Sequence, residues 1–116
     1  MRVLIGALAA ALLAGCASSA MDEARLKSPN KAFSSNKPEN VVAQCVQFAW
    51  QDESVFGVDA GAFLQPGKTG GFTVYTRGAE SFTDVQSGAA GTVINYYAAS
   101  DNSIAQRRLA ALATCL

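Results

Sequence analysis

Residues 92–98, with the sequence TVINYYA, decide the fold of this chain. The segment combines β-branched and aromatic residues and contains neither glycine nor proline, a composition typical of a strand. Turn-forming residues precede it at 87–91 (SGAAG), and residues 82–86 form a second short strand candidate before that turn. Because only a short turn separates the two segments, the sequence predicts that they pair antiparallel.

The same pattern extends towards the N-terminus. Residues 72–76 (FTVYT) alternate with a period of two, as expected for a strand with two different faces. They follow a cluster of turn residues at 66–71 (PGKTGG), and residues 60–64 form a weaker strand candidate before that cluster. The sequence therefore predicts an antiparallel meander of three to four strands.

Helical periodicity flanks this meander on both sides. Before it, apolar residues recur at three- and four-residue steps over residues 37–51, and Asn36 with Glu39 matches a capping box. After it, residues 102–115 carry an apolar stripe, with Ser100 or Asp101 available as the helix cap. The positions predicted to face the core are Val41, Val42, Cys45, Phe48 and Ala49 in the first helix and Ile104, Arg108, Leu112 and Cys115 in the second. We therefore predict a single small α+β domain over residues 37–116, in the order α-β-β-β-α, with both helices on one face of the sheet.

Composition narrows the range of functions. The chain has 116 residues, and its nine Lys plus Arg are offset by nine Asp plus Glu, which leaves no basic surface for nucleic acid. It contains no His, which excludes Ser-His-Asp and Cys-His catalysis and imidazole metal ligands. We expect no enzyme activity, no cofactor and no metal.

The N-terminus has the features of a signal peptide over residues 1–15. Arg2 precedes an uncharged, apolar run that ends at Cys16. The run is shorter than the about 20 residues that a membrane-spanning helix needs, and it fits the apolar centre of a signal peptide. A buried N-terminal helix of a cytosolic protein is the alternative, but the run offers no polar face to water.

The end of this run, Leu13-Ala14-Gly15-Cys16, resembles the lipobox of bacterial lipoproteins. In that family a diacylglycerol is attached to the Cys thiol, the preceding peptide bond is cut, and the new amino end is acylated. The resemblance implies that Cys16 is the lipidated first residue of the mature protein, held in the bilayer by several acyl chains. Ala17, in place of Asp, implies sorting to the outer membrane, with the domain facing the periplasm.

Residues 16–36 join the lipid to the predicted domain. Beyond Cys16 the segment carries Ser, Asn, Lys and Pro without sustained periodicity, so we expect a flexible tether. A coil of that length typically spans about 25 Å. Since exported proteins meet an oxidising environment, the remaining pair, Cys45 and Cys115, predicts a disulfide between the two helices; two buried thiols are the alternative.

Two features offer surfaces to a partner. The 66–71 loop presents Gly67, Lys68 and Thr69 between two strands, and loops on a rigid scaffold often carry binding; a plain hairpin turn is the alternative. These residues resemble the end of a phosphate-binding loop, but the first glycine of that motif and the helix after it are missing. Tyr97 follows Tyr96 on the best strand, so alternation turns one ring inward and the other outward, where Tyr97 can contact a partner.

These features predict a lipid-anchored envelope protein that acts as a non-enzymatic binding or structural module. Its partners are then the bilayer, through acylated Cys16, and another envelope protein. The alternative is an inhibitor or immunity lipoprotein that blocks an envelope-acting hydrolase or toxin, with the 66–71 loop entering the active site.

Overall fold

A computed structural model describes residues 18–58 and 61–116. The first described element is a helix, α1, which covers residues 18–25. The elements that follow are β1 (Lys31–Ser35), α2 (Glu39–Asp52), a 3-10 turn (Glu53–Phe56), β2 (Ala62–Pro66), β3 (Phe72–Thr76), β4 (Ser81–Gly88), β5 (Gly91–Ala98) and α3 (Ser103–Ala113). A second short 3-10 turn, Arg77–Ala79, connects β3 to β4.

The five strands form one antiparallel sheet in the order β1-β5-β4-β3-β2. Strands β2 to β5 are the predicted meander, and the hairpin between β4 and β5 closes at Gly88 and Gly91. The sheet has one strand more than the sequence predicted, because β1 pairs with the outer edge of β5, from Lys31 opposite Tyr96 to Ser35 opposite Thr92. The α+β class and the meander are confirmed.

Helices α2 and α3 pack on the same face of the sheet, as predicted. The main core lies between them and the strands, and its largest buried members are Trp50, Tyr96, Ile94, Leu112, Val42, Val46, Val74 and Val85. Trp50 fixes the packing because its indole Nε1 donates to the carbonyl of Arg108 at 2.8 Å. Its ring also meets that of Tyr96 edge-on, with centroids 6.3 Å apart, a favourable geometry for two aromatic rings.

The predicted disulfide joins these two helices. Cys45 in the middle of α2 is bonded to Cys115, just beyond the end of α3, with Cα atoms 5.7 Å apart. Cys115 is completely buried. The bond closes a loop of the chain that contains all the strands of the meander.

The helix caps differ from the sequence prediction. No side chain caps α2, which begins after Pro38. The Glu39 carboxylate, expected in a capping box, instead accepts hydrogen bonds from the backbone N and Oγ of Ser87, at 2.9 and 3.0 Å. For α3 the cap is Asn102, whose side chain accepts from the backbone N of Ala105 at 2.9 Å. In α2 the Glu39 carboxylate is engaged by the β4–β5 hairpin, and in α3 the sequence does not distinguish Asn102 from its polar neighbours Ser100 and Asp101 as the cap.

The opposite face of the sheet is covered by α1. Met21 is buried there in a second apolar cluster with Ala79, Phe82 and Tyr97. Residues 18–36 therefore pack on the sheet as a helix and an edge strand, in place of the flexible tether that we expected. The physical reason is that Met21 buries its side chain and β1 completes the hydrogen bonds of β5, and both gains offset the entropy of ordering the segment. In the described part of the chain, no helix combines the length and apolarity needed to cross a bilayer.

Candidate binding surface

The 66–71 loop is a hairpin that closes on itself. The backbone N of Gly67 donates to the carbonyl of Gly71 at 2.9 Å, and the Thr69 hydroxyl accepts from Nε2 of Gln86 at 2.7 Å. Gly71 has φ +66°, and a Cβ built there would lie 2.1 Å from the carbonyl oxygen of Val85. The position therefore requires glycine for two reasons, the positive φ and the close approach of the neighbouring strand.

Lys68 is the only charged side chain of this hairpin. Its Nζ lies 2.9 Å from Oδ2 of Asp22 in α1, and two-thirds of the lysine side chain remains exposed. The hydrogen bond from Lys68 is the main cause that lowers the pKa of Asp22; slight burial opposes it, and the charges of Lys68 and Arg25 act in the same direction as the hydrogen bond. The structure thus brings Gly67, Lys68 and Thr69 together at the surface, with Lys68 already paired.

Tyr97 is not at the surface. Its ring stacks on Phe82, with centroids 4.6 Å apart and planes 9° from parallel, and only 8% of the residue is exposed. Burial raises the pKa of its hydroxyl. Strand alternation correctly turned Tyr97 away from the main core, but α1 covers that side of the sheet. The sequence prediction that Tyr97 is open to a partner is therefore not met in this structure.

Cys16, the predicted lipidation site, lies outside the described residues. Its acylation stays a prediction from the lipobox-like sequence.

An exposed apolar stripe runs along α2 and the turn after it; we call it the α2 stripe. Its members, with their exposed fractions, are Val41 (45%), Phe48 (60%), Val55 (82%) and Phe56 (65%). Val41 and Phe48 are seven residues apart on one helix, so they lie on the same side, two turns from each other. Val55 and Phe56 are exposed in the 3-10 turn that follows α2.

The C-terminal end of the α2 stripe is bordered by charge. The guanidinium carbon of Arg107 lies 4.1 Å from the centre of the Phe56 ring, a distance at which a cation is attracted to an aromatic face. The Arg107 Nε also pairs with Glu53 at 2.8 Å. An apolar surface with a polar border is the usual composition of a protein–protein contact.

Sequence reasoning assigned part of this stripe to the core. The residues of α2 that are buried are Val42, Ala43, Val46 and Trp50, so the helix is rotated from the orientation in which Val41 and Phe48 would point inward. The apolar pattern of α2 is wider than one face, and periodicity alone does not say which edge of it meets the sheet. The sequence feature that indicates the stripe is this excess width of the apolar pattern of α2.

No group of three or more Cys, Asp or Glu side chains that could hold a metal ion occurs among residues 18–58 and 61–116. A cleft of about 440 Å³ lies beside α1 and is lined by Ala24, Lys27, Ala79, Phe82 and Tyr97 among others. Among the described residues of this lining, Lys27 alone has a charged side chain.

Comparison of the chain with models of protein families, with curated proteins and with solved structures found no match.

Proposed function

We propose that this protein is an outer-membrane-anchored periplasmic lipoprotein that acts as a non-enzymatic binding or structural module of the envelope. The observation that supports the binding role best is the α2 stripe, in which more than half of the surface of both Phe48 and Phe56 is exposed to solvent. The anchor is supported by the signal-peptide features of residues 1–15 and the lipobox-like sequence that ends at Cys16.

The stripe has the physical character of a protein contact. Single exposed apolar residues are common on proteins, but a grouped set that includes aromatic rings indicates an interaction site. Covering apolar surface is favourable by about 25 cal/mol per Å², and aromatic side chains supply much of the binding energy at interfaces. We infer that a partner protein of the envelope covers Phe48 and the residues around it.

The scaffold under the stripe is suited to this role. Cys45, on α2 between Val41 and Phe48, is covalently fixed to Cys115, and the other side of the helix is buried in the main core through Val46 and Trp50. A helix held in this way presents its exposed side chains in one arrangement. A partner then binds without the entropic cost of ordering the helix first.

In-cell crosslinking tests the binding role. A photoreactive residue is placed at Gln44, which is exposed on α2 between Val41 and Phe48, and crosslinked products are captured and identified by mass spectrometry. We expect one dominant envelope protein, and we expect Phe48→Ser to abolish its crosslink. Ile104→Ser is the matched control, because Ile104 is a partly exposed apolar residue of α3 outside the stripe. An equal yield of crosslink with Phe48→Ser and wild type, or no product above background with wild type, contradicts the proposal.

The identity of the partner separates the two roles foreseen from the sequence. A structural protein of the envelope supports the binding module, whereas a hydrolase or a toxin supports an inhibitor or immunity protein. The anchor has its own test: an alkyne fatty acid fed to cells labels the wild-type chain and leaves Cys16→Ala unlabelled. Labelling of both, or of neither, contradicts lipidation at Cys16.

A further inference from the structure

The first turn of α1 lies directly beside the 66–71 hairpin. Ser18 borders the same small cleft as Gln65, Pro66 and Lys68. One helical turn later, Asp22 pairs with Lys68 at 2.9 Å. The first described turn of α1 therefore lies at the end of the sheet where this hairpin projects.

Helix α1 is fixed to the sheet along its length. Met21 is 1% exposed, and Arg25 holds both carboxylate oxygens of Asp84 at 2.7 Å. These contacts hold α1 against the sheet, so Ser18 keeps a fixed position relative to the rest of the domain.

The distance from this point to the proposed anchor is limited by covalent geometry. Cys16 is two residues before Ser18, and two residues of fully extended chain span at most about 7 Å. The flexible tether expected from the sequence would have allowed about 25 Å. If Cys16 is acylated, as the proposed function requires, the end of the domain at Ser18 is held at the headgroup layer of the membrane.

Two hairpins project at this end of the sheet. One is 66–71, and the other, between β4 and β5, has the sequence SGAAG over residues 87–91. Gln86, at the start of the second hairpin, donates to Thr69 in the first, so the two lie side by side. Antiparallel pairing of β3 with β4 brings the start of β3 beside the end of β4, so both hairpins lie at the same end of the sheet.

The charge of this end of the sheet does not oppose contact with a phospholipid surface. The two hairpins together carry one cation, Lys68, and no carboxylate. Two carboxylates contact these hairpins, and both are engaged: Asp22 pairs with Lys68 and Arg25, and Glu39 accepts from Ser87. Basic side chains are attracted to the anionic surface of a bilayer and acidic ones are repelled.

From this placement we propose that the hairpin end of the domain, formed by residues 66–71 and 87–91, rests on the lipid bilayer, with Lys68 at the level of the headgroup phosphates. This proposal rests on the proposed lipid anchor. It assigns the 66–71 loop to the membrane in place of the active site of a partner. Helix α2 begins at the Glu39–Ser87 contact, near the hairpin end, and runs towards the opposite end of the sheet. In the proposed orientation α2 therefore stands upright on the membrane, and the α2 stripe stays accessible from the side.

Fluorescence quenching tests this orientation. The acylated full chain is placed in vesicles of phosphatidylethanolamine and phosphatidylglycerol whose acyl chains carry bromine, a contact quencher of tryptophan. A new tryptophan is introduced as Thr69→Trp at the hairpin end or as Ser100→Trp at the opposite end. The natural Trp50 is 1% exposed and gives the same background in both. We expect the tryptophan at 69 to lose most of its emission, and the tryptophan at 100 to keep its emission.

A change in tether length supplies the control. A Gly-Ser insert of about 20 residues after Ala17 restores roughly the reach of a flexible coil, and we expect it to remove most of the quenching at position 69. Equal quenching at both positions, or no quenching at either in a protein shown by intact mass to be acylated, overturns the proposal. Quenching at 69 that survives the insert shows that the hairpin end binds lipid by itself, and it supports the proposed contact.

Failure of the anchor is distinguishable from failure of the orientation. An intact mass without acyl chains refutes lipidation, and with it the anchoring part of the proposed function. The geometry is then tested on the mature chain that begins at Cys16, with a maleimide-linked phospholipid coupled to that thiol. Cys45 and Cys115 are bonded to each other and do not react. Lack of quenching at position 69 in this form overturns the proposed orientation independently of the natural modification.

Discussion

Arg25 and Asp84, 59 residues apart in the sequence, form a two-pronged ion pair across the outer face of the sheet. The Arg25 Nε and Nη2 atoms each lie 2.7 Å from a different carboxylate oxygen of Asp84. Arg25 also stands over the ring of Phe82, 5.1 Å from its centre, and the pair with Asp84 is the main cause that raises its pKa. Asp84 lies on β4, the central strand of the sheet, so this pair joins α1 to the middle of the outer face.

Arg25→Met should destabilise the domain by about 2 kcal/mol, the range for hydrogen bonds that involve charged groups. Methionine keeps much of the apolar stem of the side chain but leaves the Asp84 carboxylate, 13% exposed, without its cation. Urea unfolding at neutral pH measures the loss. A double-mutant cycle with Asp84→Asn should show that most of this loss of stability comes from the interaction between Arg25 and Asp84.

The pair of Arg107 and Glu53 is the comparison for this measurement. Its arginine side chain is 42% exposed and its glutamate side chain 15% exposed, and the two share one hydrogen bond in place of two, so Glu53→Gln should cost less than about 1 kcal/mol. A loss for Arg25→Met no larger than that for Glu53→Gln would mean that the Asp84 pair contributes no more than an ordinary surface contact.

Loss of the disulfide should weaken the fold strongly. The bond between Cys45 and Cys115 spans 70 residues, and the chain-entropy estimate for so long a loop is about 4 kcal/mol. The double substitution Cys45→Ala with Cys115→Ala should lower the free energy of unfolding by up to this amount, measured by urea denaturation. In native, unreduced protein a thiol reagent should label neither residue, and labelling of either one contradicts the bond.

Gly71→Ala should be more harmful than Gly70→Ala, although both glycines have positive φ. Alanine at either position suffers backbone strain, commonly about 1–3 kcal/mol. At Gly71 the new Cβ also meets the carbonyl of Val85 at 2.1 Å, whereas at Gly70 nothing lies within 4 Å. Thermal unfolding of the two variants compares these costs directly, and equal melting temperatures would contradict the close approach of β4.

Tyr96 should contribute a pH-dependent part of the stability in alkaline solution. Burial is the main cause that raises the pKa of its hydroxyl, against a lowering by the hydrogen bond with Ser81. In the unfolded chain the group ionises near pH 10, while in the folded protein it stays neutral to higher pH. Its contribution is therefore complete below about pH 10 and is lost as the pH rises from there through the folded-state pKa.

The comparison with Tyr96→Phe isolates this effect. At neutral pH the variant should be less stable by about 1 kcal/mol, because Tyr96 donates to the carbonyl of Ala105 at 2.9 Å. Above pH 10 the difference between wild type and variant should shrink, as measured by urea unfolding with Cys16 blocked. Tyr97, whose pKa is raised in the same direction, is present in both proteins and cancels. A difference that stays constant with pH would contradict the prediction.

The strands of the meander and the last helix could be predicted because their patterns are local. The alternation of residues 72–76 and the β-branched run before Ala98 coincide with β3 and β5. Strand β1 could not be found in this way, since its sequence KAFSS has a single large apolar residue, Phe33, and its place is fixed by pairing with β5. Helix α1 likewise depends on one buried Met21 and on an ion pair to a distant strand.

For the candidate surfaces, too, features with a local cause could be predicted, and features that depend on residues distant in sequence could not. The 66–71 loop was recognised because glycine and proline mark a turn by themselves. Tyr97 was misjudged because its exposure depends on α1, which is distant in sequence. The α2 stripe was missed because the sequence shows which residues are apolar, but the partner elements decide which of them become buried.

The bond between Cys45 and Cys115 also sets an order on oxidative folding. Cys45 is synthesised before every strand of the meander and Cys115 after all of them, so the correct pair cannot form until every strand has been synthesised. The chain has three cysteines, which leaves Cys16 as the single competitor for either partner. Acylation of Cys16 would remove that competitor, and the modification that anchors the chain would then also prevent its mispairing.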